Sequence, residues 1–222
     1  MKYRYDEFNH NKFESHRLAI DLIDNNAKVL DIGCATGYFA KELSKKNCET
    51  WGVDCDEVAV KKASKYCKKV IARNVDEVKT LPFPKNYFDY VIILDVIEHL
   101  LHPENILEII KPYLKEDGKI IVSVPNIAHA SIRWMLAKGE FEYTSTGILD
   151  KTHLHFYTKK SFEEILKKAK YKILKLSPTN GMCKVPFLYK ITDRLPASWQ
   201  YKIACSQPTL FGFQFIALAK VR

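Results

Sequence analysis

The chain has 222 residues, 47% hydrophobic and 27% charged, which is the composition of an ordinary globular domain with length enough for one sizeable core. No apolar run reaches the length of a membrane-spanning helix, and the N-terminal MKYRYDEFNHNKF lacks the apolar centre of a secretory leader, so a cytoplasmic protein with no membrane attachment is expected. Basic residues outnumber acidic ones by nine, but the excess is mostly lysine spread over segments such as KELSKK and KKASKYCKK; arginine, the better fork for phosphate, is scarce, and a nucleic-acid partner is not expected.

Six cysteines, at 34, 48, 55, 67, 183 and 205, include no C-x-x-C pair, which argues against a zinc ribbon or a thiol redox motif and for a reducing compartment. Amphipathic and apolar stretches then alternate along the chain. NKFESHRLAIDLIDNN predicts a first helix, KVLDI a buried strand, YFAKELSKKN a helix, CETWGVD a second strand, EVAVKKASKYCKK a helix and KVIAR a third strand. NVDEVKTLPFPKN reads as loop. FDYVIILD is a fourth strand whose continuous apolar centre indicates burial on both faces. PENILEIIKPYL follows as a helix with Pro103 in its first turn, Asp117-Gly118 marks a turn, and KIIVSV is the fifth strand.

After Pro125 the rhythm breaks. Residues 126–157 carry histidines, aromatics and glycines without a clean period, apart from a helix in IAHASIRWMLAKG. TKKSFEEILKKAK is helical, capped by Thr158 or Ser161, with Ser161 and Glu164 spaced as a capping box. YKILKLS and GFQFIALAKV are the sixth and seventh strands. Between them, PFLYKITDRL and ASWQYKIACS each suit a short helix. The β-α-β rhythm specifies an α/β protein with a doubly wound, mostly parallel sheet. Residues 1–222 form one domain, with 126–157 and 178–211 as substrate or lid insertions.

The stretch VLDIGCATGYFA, residues 29–40, carries the most chemistry. A strand ends at Asp31-Ile32, and Gly33 and Gly37 bracket a tight turn into a helix, where the backbone can approach a ligand. Ala35 breaks the G-x-G-x-x-G dinucleotide pattern, which disfavours a nicotinamide oxidoreductase. Asp54 closes the second strand about 20 residues past the first glycine, where an acid can accept from ribose hydroxyls.

These residues resemble the class I S-adenosylmethionine-dependent methyltransferases. VLDIGCATGYFA is similar to that family's first motif, GVDCD to its ribose-binding acid, and LPFPKNYFDYVIILDVIEHL to the segment through its fourth strand. The resemblance implies a Rossmann-like seven-stranded sheet of order 3-2-1-4-5-7-6 with strand 7 antiparallel. It implies S-adenosyl-L-methionine as cofactor and S-adenosyl-L-homocysteine as product. Asp31 with the backbone of Gly33, Cys34 and Gly37 would surround the amino-acid part. Asp54, with Cys55 beside it, would hold the ribose. Asn74 or Asp76 would accept from the adenine amino group, with Val75 flanking the ring, and Leu94 or Asp95 would lie near the sulfonium.

GILDKTHLHFYTKKSFEEIL, residues 147–166, following SVPN at 123–126, resembles the ubiquinone-biosynthesis type of O-methyltransferase. It implies a small-molecule acceptor, methylated at a hydroxyl oxygen. In-line displacement needs the nucleophile within about 3–3.5 Å of the methyl carbon and a proton acceptor. His153 is the first candidate, with Asp150 to orient it; His155, sharing a face with His153 on an extended segment, is the second. His99 and His102 are three apart beside Glu98, but the spacing offers no third inward ligand, so no metal is expected. Arg133 suits an anionic substrate group, and Phe141, Tyr143, Phe156 and Tyr157 suit an aromatic wall. Tyr5 and Arg17 lie where family members fold over the cofactor. Tyr189, Trp199 and Tyr201 suit closure over substrate or a homodimer surface. An RNA-directed methyltransferase and a cofactor-binding scaffold without turnover are the alternatives.

Overall fold

The computed structural model describes residues 8–180 and 194–222. Tyr5, Cys183, Tyr189 and most of the helix expected at 186–195 lie outside the described residues. Seven strands form one sheet: β1 (Lys28–Ile32), β2 (Glu49–Asp54), β3 (Lys69–Ala72), β4 (Phe88–Leu94), β5 (Leu114–Pro125), β6 (Tyr171–Asn180) and β7 (Gly212–Val221). Their order is β3-β2-β1-β4-β5-β7-β6. All neighbours pair parallel except β7, which is antiparallel to both β5 and β6. The order reverses between β1 and β4, and the carboxyl ends of the strands at such a reversal are where open α/β sheets place a ligand.

Side-chain alternation divides the core into two layers. Leu30, Ile32, Val91, Ile93, Ile120 and Val122 face one side, packed against Ile106 and Leu107 of α4 (Pro103–Ile109) and Phe162 and Leu166 of α6 (Lys159–Lys168). Val29, Tyr90, Ile92 and Ile121 face the other, against Ala19 and Ile20 of α1 (Ser15–Asp21) and Phe39 and Leu43 of α2 (Tyr38–Ser44). The central strands are therefore apolar on both faces, as their sequences require.

Local chemistry sets the element ends. Asp56 caps α3 (Glu57–Ala63), accepting from the amides of Val58 and Ala59. Thr158 caps α6, but its capping-box partner is Ser161 rather than Glu164, because Ser161 occupies the third helical position from that cap. Asp117-Gly118 does not separate two elements. It lies in a bulge within β5, between Leu114, which pairs with Phe88, and Lys119, which pairs with Tyr90. The β3–β4 connection has no helix. It is anchored by burying Val75, Leu81 and Phe83, and by the Tyr113 hydroxyl, which donates to the Leu81 carbonyl at 2.9 Å and accepts from the Leu81 amide at 2.6 Å. Of the late insertion, Ala197–Ser206 is helical as expected (α7), and Pro208–Phe211 adds a short turn of helix (α8) before β7.

Candidate functional site

The glycine loop after β1 is shaped by backbone strain and by one carboxylate. Gly33 and Gly37 adopt φ of +80° and +79°, and Ala35 sits at +45°. A Cβ on Gly37 would stand 2.8 Å from the Ala63 Cα, so the loop lies directly on α3. Asp54 holds the loop's inner curve. Its Oδ2 accepts from the Ala35 amide at 2.8 Å and its Oδ1 from the Asp56 amide at 3.0 Å. Gly33 and Cys34 donate their amides to the Val53 carbonyl, which ties the loop to β2.

Asp31 is 4% exposed, and burial together with the nearby Asp54 carboxylate raises its pKa to about 8. A cationic group placed beside it would restore the ionised form. The Cys34 thiol is buried, and burial and then Asp31 push its pKa up, so it is an inert wall of the loop rather than a nucleophile. Cys55 is exposed. Val75 is buried in the core. Asp76 accepts from the Leu101 amide with both oxygens at 3.1 Å, which pins the β4–α4 loop. Asn74 donates to Glu77 and accepts from the Asp76 amide. Leu94 and Asp95 end β4 at the switch point.

Two groups join this end that the sequence reading did not select. His16 of α1 is buried and accepts from the Asn9 amide at Nδ1, while its Nε2 faces the Tyr38 hydroxyl at 3.4 Å. Burial lowers the His16 pKa; burial and then Asp31 raise that of Tyr38. The amphipathic pattern of α1 marked His16 only as a helix position. Arg17, one residue on, points outward and pairs with Asp21 at 2.9 Å.

Beyond β4 the chain forms a 3-10 turn, Ile97–His99, and the segment 150–157 crosses over it. The amides of Leu154 and His155 both donate to the Glu98 carbonyl, at 2.8 and 3.0 Å. This crossing brings together Glu98, His99 and His153, whose potential ligand atoms all lie within 4.8 Å of one another. The third inward ligand that spacing could not supply is thus His153, from 54 residues beyond His99 in the chain. His102 stays out of the cluster, exposed and 3.8 Å from Glu104.

The protonation pattern of the cluster follows from its partners. His99 Nδ1 faces the Thr152 carbonyl at 3.2 Å, and His153 Nδ1 faces the Ile148 carbonyl at 3.0 Å. A carbonyl only accepts, so each Nδ1 donates its proton to a carbonyl, and in the neutral ring the lone pair is then on Nε2. Desolvation lowers the His153 pKa, which favours this neutral form. The Glu98 carboxyl is 1% exposed, and neither oxygen has a hydrogen-bond partner among the described residues. Burial, then Asp95, raises its pKa well above the usual range. An unpartnered buried carboxylate beside two imidazole lone pairs has the donor chemistry of a divalent transition-metal site.

The Asp150 carboxylate makes no hydrogen bond to the His153 ring, although its charge acts on it. Its Oδ1 accepts from the Thr152 amide and hydroxyl, at 2.9 and 2.8 Å, and the Ile148 carbonyl takes the orienting role instead. His155 turns away from His153. It lines a cavity of about 550 Å³ between α4 and α6, with Glu104, Glu164 and Tyr157. The shared face expected of the two histidines is lost because residues 150–153 form a turn, closed by the His153 amide on the Asp150 carbonyl, rather than an extended strand. Arg133, in α5 (Ala130–Ala137), folds back onto the Ala128 carbonyl at 2.6 Å. Tyr157 is core, Phe156 packs with Ile148 and Leu149, and Phe141 and Tyr143 are exposed. Trp199 is exposed, and Tyr201 stacks on Phe13 with ring centroids 4.4 Å apart.

With this geometry in hand, similarity to known proteins is informative. The methyltransferase domain family matches residues 4–176. A ubiquinone biosynthesis O-methyltransferase from Idiomarina loihiensis is 27% identical over 187 residues, covering 82% of this chain and 75% of that protein. One of the same description from Acinetobacter baylyi is 24% identical over 121 residues and is covered over only 50% of its length. Among solved structures, a SAM-dependent methyltransferase from Archaeoglobus fulgidus superposes with a TM-score of 0.65 at 20% identity, over 92% of this chain and 90% of that one. Since the family match runs from the N-terminal residues into β6, the chain belongs to the methyltransferase domain family and is a methyltransferase.

Proposed function

We propose that this enzyme methylates a hydroxyl oxygen of a small-molecule acceptor, with a divalent cation held by Glu98, His99 and His153 beside the reacting groups. The observation that carries the reading is the buried, unpartnered Glu98 carboxylate grouped with two imidazoles at the carboxyl edge of β4. When bound, S-adenosylmethionine supplies the electrophilic methyl group, and a cation at the cluster supplies Lewis acidity that lowers the pKa of a hydroxyl.

The chain's own residues do the rest. The Gly33–Gly37 turn offers a strained, close-approach surface to the amino-acid end of the cofactor. Asp31 gains its charge when an ammonium arrives. Asp54, already shaping the loop, offers its carboxylate to ribose hydroxyls. His153, locked through Nδ1 on the Ile148 carbonyl, presents Nε2 either to the cation or, without one, to the hydroxyl proton. The O-methyltransferase description of the relatives supports an oxygen acceptor.

The test is calorimetry on chelator-treated protein, titrated first with S-adenosylhomocysteine and then with Mn²⁺. The expected result is micromolar binding of the first and Mn²⁺ binding that Glu98→Gln abolishes. A folded wild type that ignores S-adenosylhomocysteine overturns the cofactor assignment. Equal Mn²⁺ binding by wild type and Glu98→Gln overturns the cation.

A further inference from the structure

Asp95 closes β4 in a left-handed conformation, φ +55°, which a non-glycine residue adopts at a cost. Contacts with Ser123 and Gln214 hold it there. Its amide donates to the Ser123 Oγ at 3.0 Å, the Ser123 hydroxyl donates to its Oδ1 at 2.6 Å, and the Gln214 side-chain amide donates to its Oδ2 at 2.9 Å. Ser123 is fully buried in β5. Gln214 lies 119 residues away in sequence, on antiparallel β7, and is itself fixed: its backbone amide donates at 3.0 Å to the hydroxyl of the fully buried Thr179.

The carboxylate so fixed stands at a seam. Its charge acts on His16 and Tyr38 on the glycine-loop side, and on Glu98 and His153 on the acceptor side. Each oxygen spends one acceptor site on its donor and keeps lone pairs for what lies in the crevice. Methyl transfer changes the charge there. The S–CH₃ bond breaks, sulfur keeps the electron pair and becomes a neutral thioether, the O–CH₃ bond forms, and the hydroxyl proton leaves to a base. A negative charge held at this seam therefore attracts the substrate form of the cofactor and loses that attraction when the product forms.

We propose that Gln214 is a positioning residue which, with Ser123, fixes the Asp95 carboxylate so that the site favours the sulfonium cofactor over its thioether product. This rests on the cofactor reading above. Nothing in the pattern of GFQFIALAKV marks Gln214 as part of the site, because β7 enters it only through the sheet order.

The test measures the affinities of S-adenosylmethionine and S-adenosylhomocysteine for the full chain, without acceptor, in wild type, Gln214→Met, Asp95→Asn and the double variant. The expected result is that Gln214→Met lowers the sulfonium-to-thioether affinity ratio roughly three- to tenfold, less than the full worth of one charge-assisted hydrogen bond because the Asp95 charge itself remains. Asp95→Asn lowers it at least as far, and the double variant matches Asp95→Asn alone. A role in stability alone would weaken both ligands equally. If Gln214→Met does not fold, Ser123→Ala removes the donor to the other oxygen and is read the same way. A ratio unmoved in the folded variant, or one that falls again when Gln214→Met is added to Asp95→Asn, overturns the inference and leaves the cofactor reading standing. A folded wild type that binds neither form overturns both.

Discussion

Asp54 and Glu98 are both buried acids at the carboxyl edge of the sheet, 4% and 1% exposed. Each oxygen of Asp54 accepts a backbone amide, from Ala35 and from Asp56. Neither oxygen of Glu98 has a partner among the described residues. The glycine loop is therefore complete without its ligand, its strain at Gly33, Ala35 and Gly37 balanced by bonds to β2. Burial without a hydrogen bond holds the Glu98 carboxyl in its neutral form and makes the ionised form costly until a cation arrives. On the function proposed above, one end of the site is preorganised to receive a cofactor, and the other is chemically unfinished.

The largest expected effect tests whether the unfinished end does chemistry. Turnover is followed as S-adenosylhomocysteine released from S-adenosylmethionine over a panel of phenols and sugars. On any acceptor that wild type methylates, His153→Ala is expected to lower kcat about 10²–10⁴-fold, the range for a lost proton acceptor or its equivalent. His155→Ala, at the cavity between α4 and α6, is expected to change it little. Equal losses in both variants would break the distinction drawn between the two histidines.

The contrast also explains what the sequence made legible. The glycine loop spans residues 29–40 and its anchoring acid lies 19 residues past Ala35, so the motif and its partner fall within one β-α-β unit. Turn glycines, a strand end and an acid at fixed spacing are local requirements, and local requirements leave a local pattern. The cluster joins a 3-10 turn to a segment more than fifty residues away, through two amides on the Glu98 carbonyl. No periodicity encodes that crossing. His153 could be chosen as a candidate from its chemistry, but not matched with Glu98 and His99. Its expected partner Asp150 was drawn into a turn with Thr152 because a carboxylate two residues upstream reaches a local amide first. Gln214 and Ser123 are still further from view, since only the antiparallel placement of β7 beside β5 brings them to the same carboxylate. The strand sequence itself was plain, and the order came with the family resemblance.

The next effect concerns the finished end. Asp31→Asn is expected to weaken S-adenosylhomocysteine binding about 10–100-fold, because an ammonium loses its charged partner. Titration supplies a second signature. The folded pKa of Asp31, about 8, lies above its ordinary value, so the ligand-free protein binds the extra proton and loses stability as pH rises towards 8. Asp31→Asn removes that slope, and the variant is expected to be the more stable protein at pH 9 while matching wild type near pH 4. Cofactor binding, which needs the carboxylate ionised, is expected to tighten in wild type between pH 6 and 8. Unfolding curves across pH read the first and calorimetry the second; a stability difference independent of pH would show that Asp31 is ionised without its ligand.

The smallest effect asks whether preorganisation reaches the helix-free β3–β4 connection. That loop carries Asn74, Val75 and Asp76, and it is fastened at two points. Tyr113 exchanges two hydrogen bonds with the backbone of Leu81, and Asp76 accepts from the Leu101 amide. Tyr113→Phe keeps the ring in the core but leaves a buried amide and carbonyl without their partner, at a cost of about 1–2 kcal/mol in urea unfolding. The Asp76 anchor survives, so S-adenosylhomocysteine affinity is expected to hold in the same variant. If affinity instead falls with stability, cofactor binding depends on the remote tyrosine, and preorganisation extends well beyond the glycine loop. If both are unchanged, the connection is held by the burial of Leu81 and Phe83 alone, and the hydroxyl contributes no more than water would.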